Sequence, residues 1–140
     1  MKKYIPIIIF SLLFSNVSFA GTGKGELILT EKGVNGFYKY ITNPGGSTPG
    51  RATPLRMVVT HDGNYVHWFV CRHAQCTSNG FTQLIKICER KQPQPCSGFA
   101  VGRSIKWKNG SNPGGKAAAF KSNMSLSEVK EKLKTLGFYK

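Results

Sequence analysis

Apolar and polar residues alternate along two neighbouring segments near the middle of the chain, 55–60 and 65–71. Asp62-Gly63 lies between them, and Asp-Gly between alternating segments is the strongest short-range indication of a β-hairpin. With this dipeptide at the turn, one face of the hairpin is entirely apolar, as a core-facing sheet surface requires. The cross-strand pairs predicted on that face are Val59 with Val66, Met57 with Trp68, and Leu55 with Val70.

The opposite face of this hairpin mixes aromatic, basic and polar side chains. Such a mixture is typical of a surface that contacts a partner, so this face is the first candidate binding surface. The pattern leaves an alternative open, in which a helix covers this face too and buries Tyr65 and Phe69. The residues of the face are Arg56, Val58, Thr60, Tyr65, His67, Phe69 and Cys71.

A second hairpin is predicted around Gly102-Arg103, because glycine at the first turn position suits a type II′ turn. Its register pairs Ala100 with Ile105, and Trp107 shares the face of Ile105 and is expected to enter the core. If the two hairpins join in one sheet, basic residues of the second hairpin extend the candidate binding surface. These are Arg103, Lys106 and Lys108.

Three helices are predicted from apolar residues that recur every three or four positions. The first spans about 31–42, and the second includes 81–88 with Ser78 or Asn79 as its N-cap. The third begins at a capping box, 125–128, and its lysines are expected to form mainly a solvated face. Those lysines are Lys130, Lys132 and Lys134.

Four cysteines cluster in one stretch of the chain. In an oxidising compartment an even, clustered set indicates disulfide bonds, and three pairings are possible. We favour Cys71 with Cys76 and Cys88 with Cys96, since each closes a short loop and the second ties a helix end to the next strand. A zinc site is the alternative, because His73 stands between two thiols, although zinc sites usually show tighter paired spacings.

These elements predict an α+β fold. It consists of a small antiparallel sheet built from two hairpins, packed with two to three helices and stapled by disulfides. A short additional strand near Leu27 is a further candidate for the sheet.

The first 20 residues have the pattern of a cleaved secretion signal. Two lysines precede an apolar stretch, 5–14, and a small-residue exit ends at Ala20. The apolar stretch is shorter than the roughly 20 residues that a membrane-spanning helix needs, so an uncleaved anchor is the less favoured alternative. The chain therefore divides into a signal peptide, 1–20, and a single basic domain, 21–140. We expect that domain in the periplasm or outside the cell, with no stable membrane span after processing.

The chain carries 20 Lys and Arg against 6 acidic residues, a formal net charge of +14. Such an excess concentrates a protein at anionic surfaces. The leading hypothesis is a non-enzymatic exported binding module for an anionic partner: an envelope polymer, a lipid head group or nucleic acid.

Two other functions stay open. One is a small secreted hydrolase such as a ribonuclease, with His67 as its general base, although no catalytic constellation is visible. The other is an accessory protein that docks on an acidic protein and buries Tyr65 and Phe69. Two of the acids have structural roles by sequence, Asp62 in the hairpin turn and Glu128 in the capping box. No cofactor or resident metal is expected.

The order of these features resembles a group of short exported proteins from alphaproteobacteria. The resemblance lies in the aromatic segment 37–41, the Asp-Gly hairpin, the pair Cys88 and Cys96, the segment 99–110 and the final apolar stretch 133–138. It spans most of the domain and agrees with the bacterial character of the signal peptide. It implies the same architecture, and it implies no activity or site residues.

Overall fold

The computed structural model describes residues 21–46, 52–73, 75–76 and 80–140. The predicted secretion signal and the predicted caps Ser78 and Asn79 lie outside these residues. The described chain has the predicted α+β fold, with one four-stranded antiparallel sheet and three α-helices. In chain order its elements are α1 (Glu31–Thr42), β1 (Thr53–Thr60), β2 (Val66–Cys71), α2 (Thr82–Lys91), β3 (Cys96–Val101), β4 (Ser104–Ile105), a 3₁₀ turn (Gly115–Ala118) and α3 (Leu126–Thr135).

The two hairpins join in a single sheet with the strand order β2-β1-β3-β4. Antiparallel pairing of β1 with β3 makes the junction, so β2 lies at one edge of the sheet and β4 at the other. The pair Ala100–Ile105 in the second hairpin is as predicted. Gly102 has a positive φ of 55° and Arg103 does not, which is the requirement of a type II′ turn.

The first hairpin contains a bulge that its sequence pattern does not reveal. Leu55 stands out of the ladder and Val70 lies opposite Pro54, so the predicted pair Leu55–Val70 is wrong. The carbonyl of Leu55 instead accepts from the N–H of Gly102 at 2.9 Å, in the turn of the other hairpin. The bulged residue is therefore held by the turn that follows β3. Nearer the first turn the predicted pairs are confirmed, Val59 with Val66 and Met57 with Trp68.

The loop between β1 and β2 holds five residues, 61–65. The N–H of Gly63 donates to the carbonyl of Thr60 at 2.8 Å, and the N–H of Thr60 donates to the carbonyl of Tyr65 at 3.0 Å. Gly63 has φ +72°, and a side chain there would overlap the carbonyl of Ile28, so this position requires glycine. The Asp62 carboxylate accepts from the Thr60 hydroxyl at 2.6 Å, which gives Asp62 its predicted role in the turn.

The larger core lies between one face of the sheet and the helices α1 and α3. Both helices begin at polar caps: Thr30 accepts from Gly33 N at 3.2 Å, and Ser125 and Glu128 form the predicted capping box. Trp107 enters this core as predicted. Its largest fully buried side chains are Trp107, Tyr40, Phe37, Phe99 and Phe138.

The second core lies on the opposite face of the sheet, under α2. It contains Val58, Phe81, Leu84 and the disulfide between Cys88 and Cys96. Phe81 occupies the N-cap position of α2 and makes no side-chain cap, so the predicted polar cap is wrong. The physical reason is packing, since a side chain at Gly98 would overlap the Phe81 ring, which rests directly on β3.

Both predicted disulfides are confirmed, Cys71–Cys76 and Cys88–Cys96. They leave no thiolate for the alternative zinc site. The Cys88–Cys96 bond ties the last turn of α2 to the first residue of β3, and both cysteines are buried. In the part of the chain that the structure describes, no helix is both long enough and apolar enough to cross a bilayer.

The additional strand predicted near Leu27 is wrong in position. Extended pairing occurs earlier, at two isolated parallel bridges, Thr22 with Gly98 and Lys24 with Lys108. Leu27 itself is in irregular structure and is buried in the larger core. The bridges form at the glycine-rich start because a backbone without side chains can approach the core closely.

Candidate anion-binding surface

The mixed face of the first hairpin is the face that α2 covers. Tyr65 and Phe69 are half-buried and pack against the second core. The Arg56 guanidinium lies 5.1 Å from the centre of the Phe81 ring, just before α2. The aromatic part of the predicted binding surface therefore lies against a helix, as in the alternative arrangement that the sequence left open.

His67 lies on the same face, near the C-terminal end of α2. Its ring is 6.4 Å from the Phe69 ring, and it forms no hydrogen bond with any other side chain among the described residues. Burial, and secondarily the charge of Lys91, lower the pKa of His67 below its usual 6.5. A lowered pKa favours the neutral imidazole, yet no described nucleophile or acid bonds to it, as a general base would require.

Arg103 connects two elements of the fold. Its Nε donates to the carbonyl of Ile41 at 2.8 Å, and the Tyr40 hydroxyl donates to the carbonyl of Gly102 at 2.6 Å. These two bonds run between the last turn of α1 and the turn of the second hairpin. Burial raises the pKa of Tyr40, so this hydroxyl stays protonated as a donor. These contacts give Arg103 a structural role that requires no bound ligand.

Lys106 and Lys108 are exposed on the segment that follows β4, on either side of the buried Trp107. The structure adds a third lysine that the sequence did not indicate. Lys108 N donates to the Gly23 carbonyl at 3.0 Å and Gly25 N donates to the Lys108 carbonyl at 2.8 Å. These bonds make Lys24 and Lys108 direct bridge partners, with side chains on one face of the local ladder. We call Lys24, Lys106 and Lys108 the lysine patch.

The acidic residues of the protein are mostly engaged elsewhere. Glu26, two positions from Lys24, is exposed and forms no ion pair in the described ranges. The charge of the lysine patch is therefore not neutralised by an ion pair. The engaged acids are Glu31 with Lys130 and Tyr139, Asp62 in the hairpin turn, Glu89 on the N–H of Cys96, Glu128 in the capping box and Glu131 with Lys134.

The three lysines of α3 are partly engaged within the fold. Lys130 pairs with Glu31 at 2.8 Å, and the resulting hydrogen bond lowers the pKa of Glu31 and raises that of Lys130. Lys132 donates to the carbonyl of Ala119 and lies 4.9 Å from the centre of the Phe120 ring. These contacts give the α3 lysines structural roles, which the lysine patch lacks.

His61 and Ser97 form a contact that the sequence did not indicate. His61 Nε2 and Ser97 Oγ are 2.8 Å apart, and the His61 ring lies edge-on to Trp107 with centres 5.5 Å apart. A histidine beside a hydroxyl is one arrangement that activates a nucleophile, and in such sites a third group commonly orients the base. No described side chain bonds the second ring nitrogen of His61. The pair anchors the first hairpin to β3.

No protein-family model, curated protein or solved structure matches the chain. The similarity to exported alphaproteobacterial proteins accordingly stays a prediction. The location of the basic side chains in the fold is what remains to indicate function.

Proposed function

We propose that this protein is a non-enzymatic binding module for an anionic polymer or surface and that the lysine patch is its contact point. The observation that carries the proposal is the direct pairing of Lys24 with Lys108 without an ion-paired acid. Like charges on adjacent strands repel and destabilise the pairing. A polyanion that lies across both ammonium groups would relieve this repulsion and gain two attractive contacts.

The chemistry of the patch favours recognition by charge. Lysine presents a compact point charge without the planar, bidentate geometry of arginine. Tyr65 and Phe69, which would stack on nucleic-acid bases, pack under α2. These features support a partner with closely spaced phosphate, sulfate or carboxylate groups, read with little sequence specificity.

The cysteines support export of this module. All four form disulfides, and such bonds persist in the periplasm or outside the cell and are rare in the cytosol. The signal-like pattern of residues 1–20 points the same way. An anionic component of a bacterial envelope is the partner that this compartment would offer.

The test compares two triple variants that lose the same charge. Lys24→Gln, Lys106→Gln and Lys108→Gln remove the patch, and Lys86→Gln, Lys121→Gln and Lys140→Gln remove three exposed lysines elsewhere. The probe is long-chain inorganic polyphosphate, with binding measured by calorimetry over a series of NaCl concentrations. We expect the patch variant to bind roughly tenfold or more weakly, with a flatter salt dependence, while the control changes about threefold or less.

The same variants on vesicles with phosphatidylglycerol separate a lipid surface from a soluble polymer. Equal losses for the two triple variants would show that total charge alone drives binding, and the proposed site would then be wrong. Absence of polyphosphate and vesicle binding by the unaltered protein at low salt would overturn the proposed function.

A further inference from the structure

The outer edge of β2 presents backbone groups that no described residue pairs. The N–H of Thr60 donates to the carbonyl of Tyr65, so the Tyr65 backbone faces β1. Backbone direction alternates along an antiparallel strand, so His67 and Phe69 also face β1. The N–H and C=O groups of the intervening residues point away from the sheet. Those residues are Val66, Trp68 and Val70.

This edge lacks the features that normally block pairing with another strand. Proteins protect exposed edges with charged residues, prolines or bulges on the edge strand. The sequence of β2, Val-His-Trp-Phe-Val-Cys, contains no lysine, arginine, acid or proline, although the chain as a whole has 20 Lys and Arg. The bulge of the first hairpin lies in β1 and leaves β2 regular. No described residue therefore pairs with this edge, and the sequence of β2 does not block a further strand.

Lysine side chains lie on the helices that cover β2 on both faces of the sheet. On one face α1 crosses β2 so closely that a side chain at Gly36 would overlap Val66. Lys32 and Lys39 lie four residues before and three after Gly36, on the same stripe of α1, and both are exposed. On the other face Phe69 of β2 packs against the core under α2, and Lys91 is the last residue of that helix.

We propose that the outer edge of β2 receives an extended acidic segment of a partner protein, which adds to the sheet as a further strand. Backbone hydrogen bonds would come from Val66, Trp68 and Val70. Successive side chains of an added strand point to opposite faces, so the acids of a strand that alternates acidic and apolar residues share one face. In one register they would meet the lysines of α1, and in the other they would meet Lys91. A second copy of this chain fits poorly, because two molecules with a net charge of +14 repel each other.

This site is separate from the lysine patch. The two lie at opposite sides of the sheet, since β2 is one edge strand and the patch includes the segment after β4, the other edge strand. Binding of an acidic strand at β2 does not require polyanion binding at the lysine patch, and either can be absent without the other.

The experiment uses an eight-residue peptide of alternating glutamate and valine as the probe. A matched peptide has lysine in place of glutamate, and a third carries N-methyl groups on glutamates and valines alike, so that neither of its edges can pair. Binding is followed by amide resonances and hydrogen exchange of the labelled protein. We expect only the acidic, unmethylated peptide to bind and to slow exchange at Val66, Trp68 and Val70. The amides of His67 and Phe69, which already face β1, should change little.

Two variants of one residue test the edge itself. Val70→Pro removes an outward N–H without removing a bond to β1, and Val70→Thr keeps that N–H in a β-branched side chain. We expect Val70→Pro to weaken peptide binding roughly tenfold or more and Val70→Thr to leave it within about twofold. Polyphosphate binding should be the same for both.

Three results would overturn the inference. The first is equal binding of the acidic and lysine peptides, and the second is undiminished binding of the N-methylated peptide, which remains informative even if Val70→Pro does not fold. The third is a dimer of the free protein, seen by light scattering, that Val70→Pro converts to a monomer. That result would assign the edge to a second copy of the chain.

Discussion

The indole N–H of Trp107 donates to the carbonyl oxygen of Gly25 at 2.8 Å, across most of the length of the chain. Gly23 lies against the same ring, so closely that any side chain there would overlap it. This contact holds the glycine-rich start of the described chain beside the segment after β4. The position of Lys24 next to Lys108 therefore depends on a packing contact in the core.

Gly23→Ala should disrupt the packing of the glycine-rich start against Trp107. The added methyl group must displace either the Trp107 ring or the backbone, and overpacking of this kind costs about 1 to 3 kcal/mol of unfolding free energy. Urea unfolding followed by tryptophan fluorescence measures the loss, and polyphosphate affinity should fall with it. Lys24→Gln is the control, because it removes the charge and leaves the packing intact. Unchanged stability of Gly23→Ala would contradict the close contact.

The two disulfides should differ in their contribution to stability. Replacing Cys88 and Cys96 by alanine removes a buried cross-link from the second core, with an expected loss of about 2 to 4 kcal/mol. The same change at Cys71 and Cys76 removes a shorter loop whose second cysteine is exposed, so its effect should be smaller. Urea unfolding of both double variants provides the comparison, and a larger loss for the Cys71–Cys76 pair would contradict this order.

Arg103 should matter more for stability than for binding. Arg103→Met keeps much of the side chain but leaves the carbonyl of Ile41 without its donor, and a loss of about 1 to 2 kcal/mol is expected. Tyr40→Phe removes the companion bond to Gly102 and should have an effect of similar size. Thermal unfolding and polyphosphate titration are measured together. A tenfold loss of affinity with full stability would place Arg103 in the binding surface instead.

His67 should make the protein less stable as the pH falls. Its pKa is lowered in the folded state, so the unfolded chain takes up the proton first. The stability that comes from neutral His67 is present above pH 6.5 and is lost as the pH falls through the lower pKa of the folded state.

We expect the melting temperature to decrease between about pH 7 and about pH 5, and to decrease less in His67→Gln. The pKa values of Glu31, Asp62 and Glu128 are lowered from ordinary carboxyl values, so those groups act in a more acidic range. Identical melting-temperature profiles for the unaltered protein and His67→Gln would exclude His67 as the source of this pH dependence.

Local patterns of the sequence determined the elements of this fold. The bounds of α1, the capping box of α3 and the pairs nearest the Asp-Gly turn all follow from residues close together in the chain. The two disulfides followed from the same kind of argument, because short loops are the easiest to close. Each of these features depends on backbone geometry over a few residues, which sequence spacing encodes directly.

Tertiary structure decided what those elements bury and expose. An alternating strand shows which side chains share a face, but it does not show whether a helix covers that face, and α2 covers the one with Tyr65 and Phe69. The bulge at Leu55 depends on contacts with the second hairpin, and Lys24 reaches Lys108 because Gly23 fits against Trp107. These relationships join residues far apart in sequence through shape complementarity in the core, and no local pattern of side chains records such complementarity.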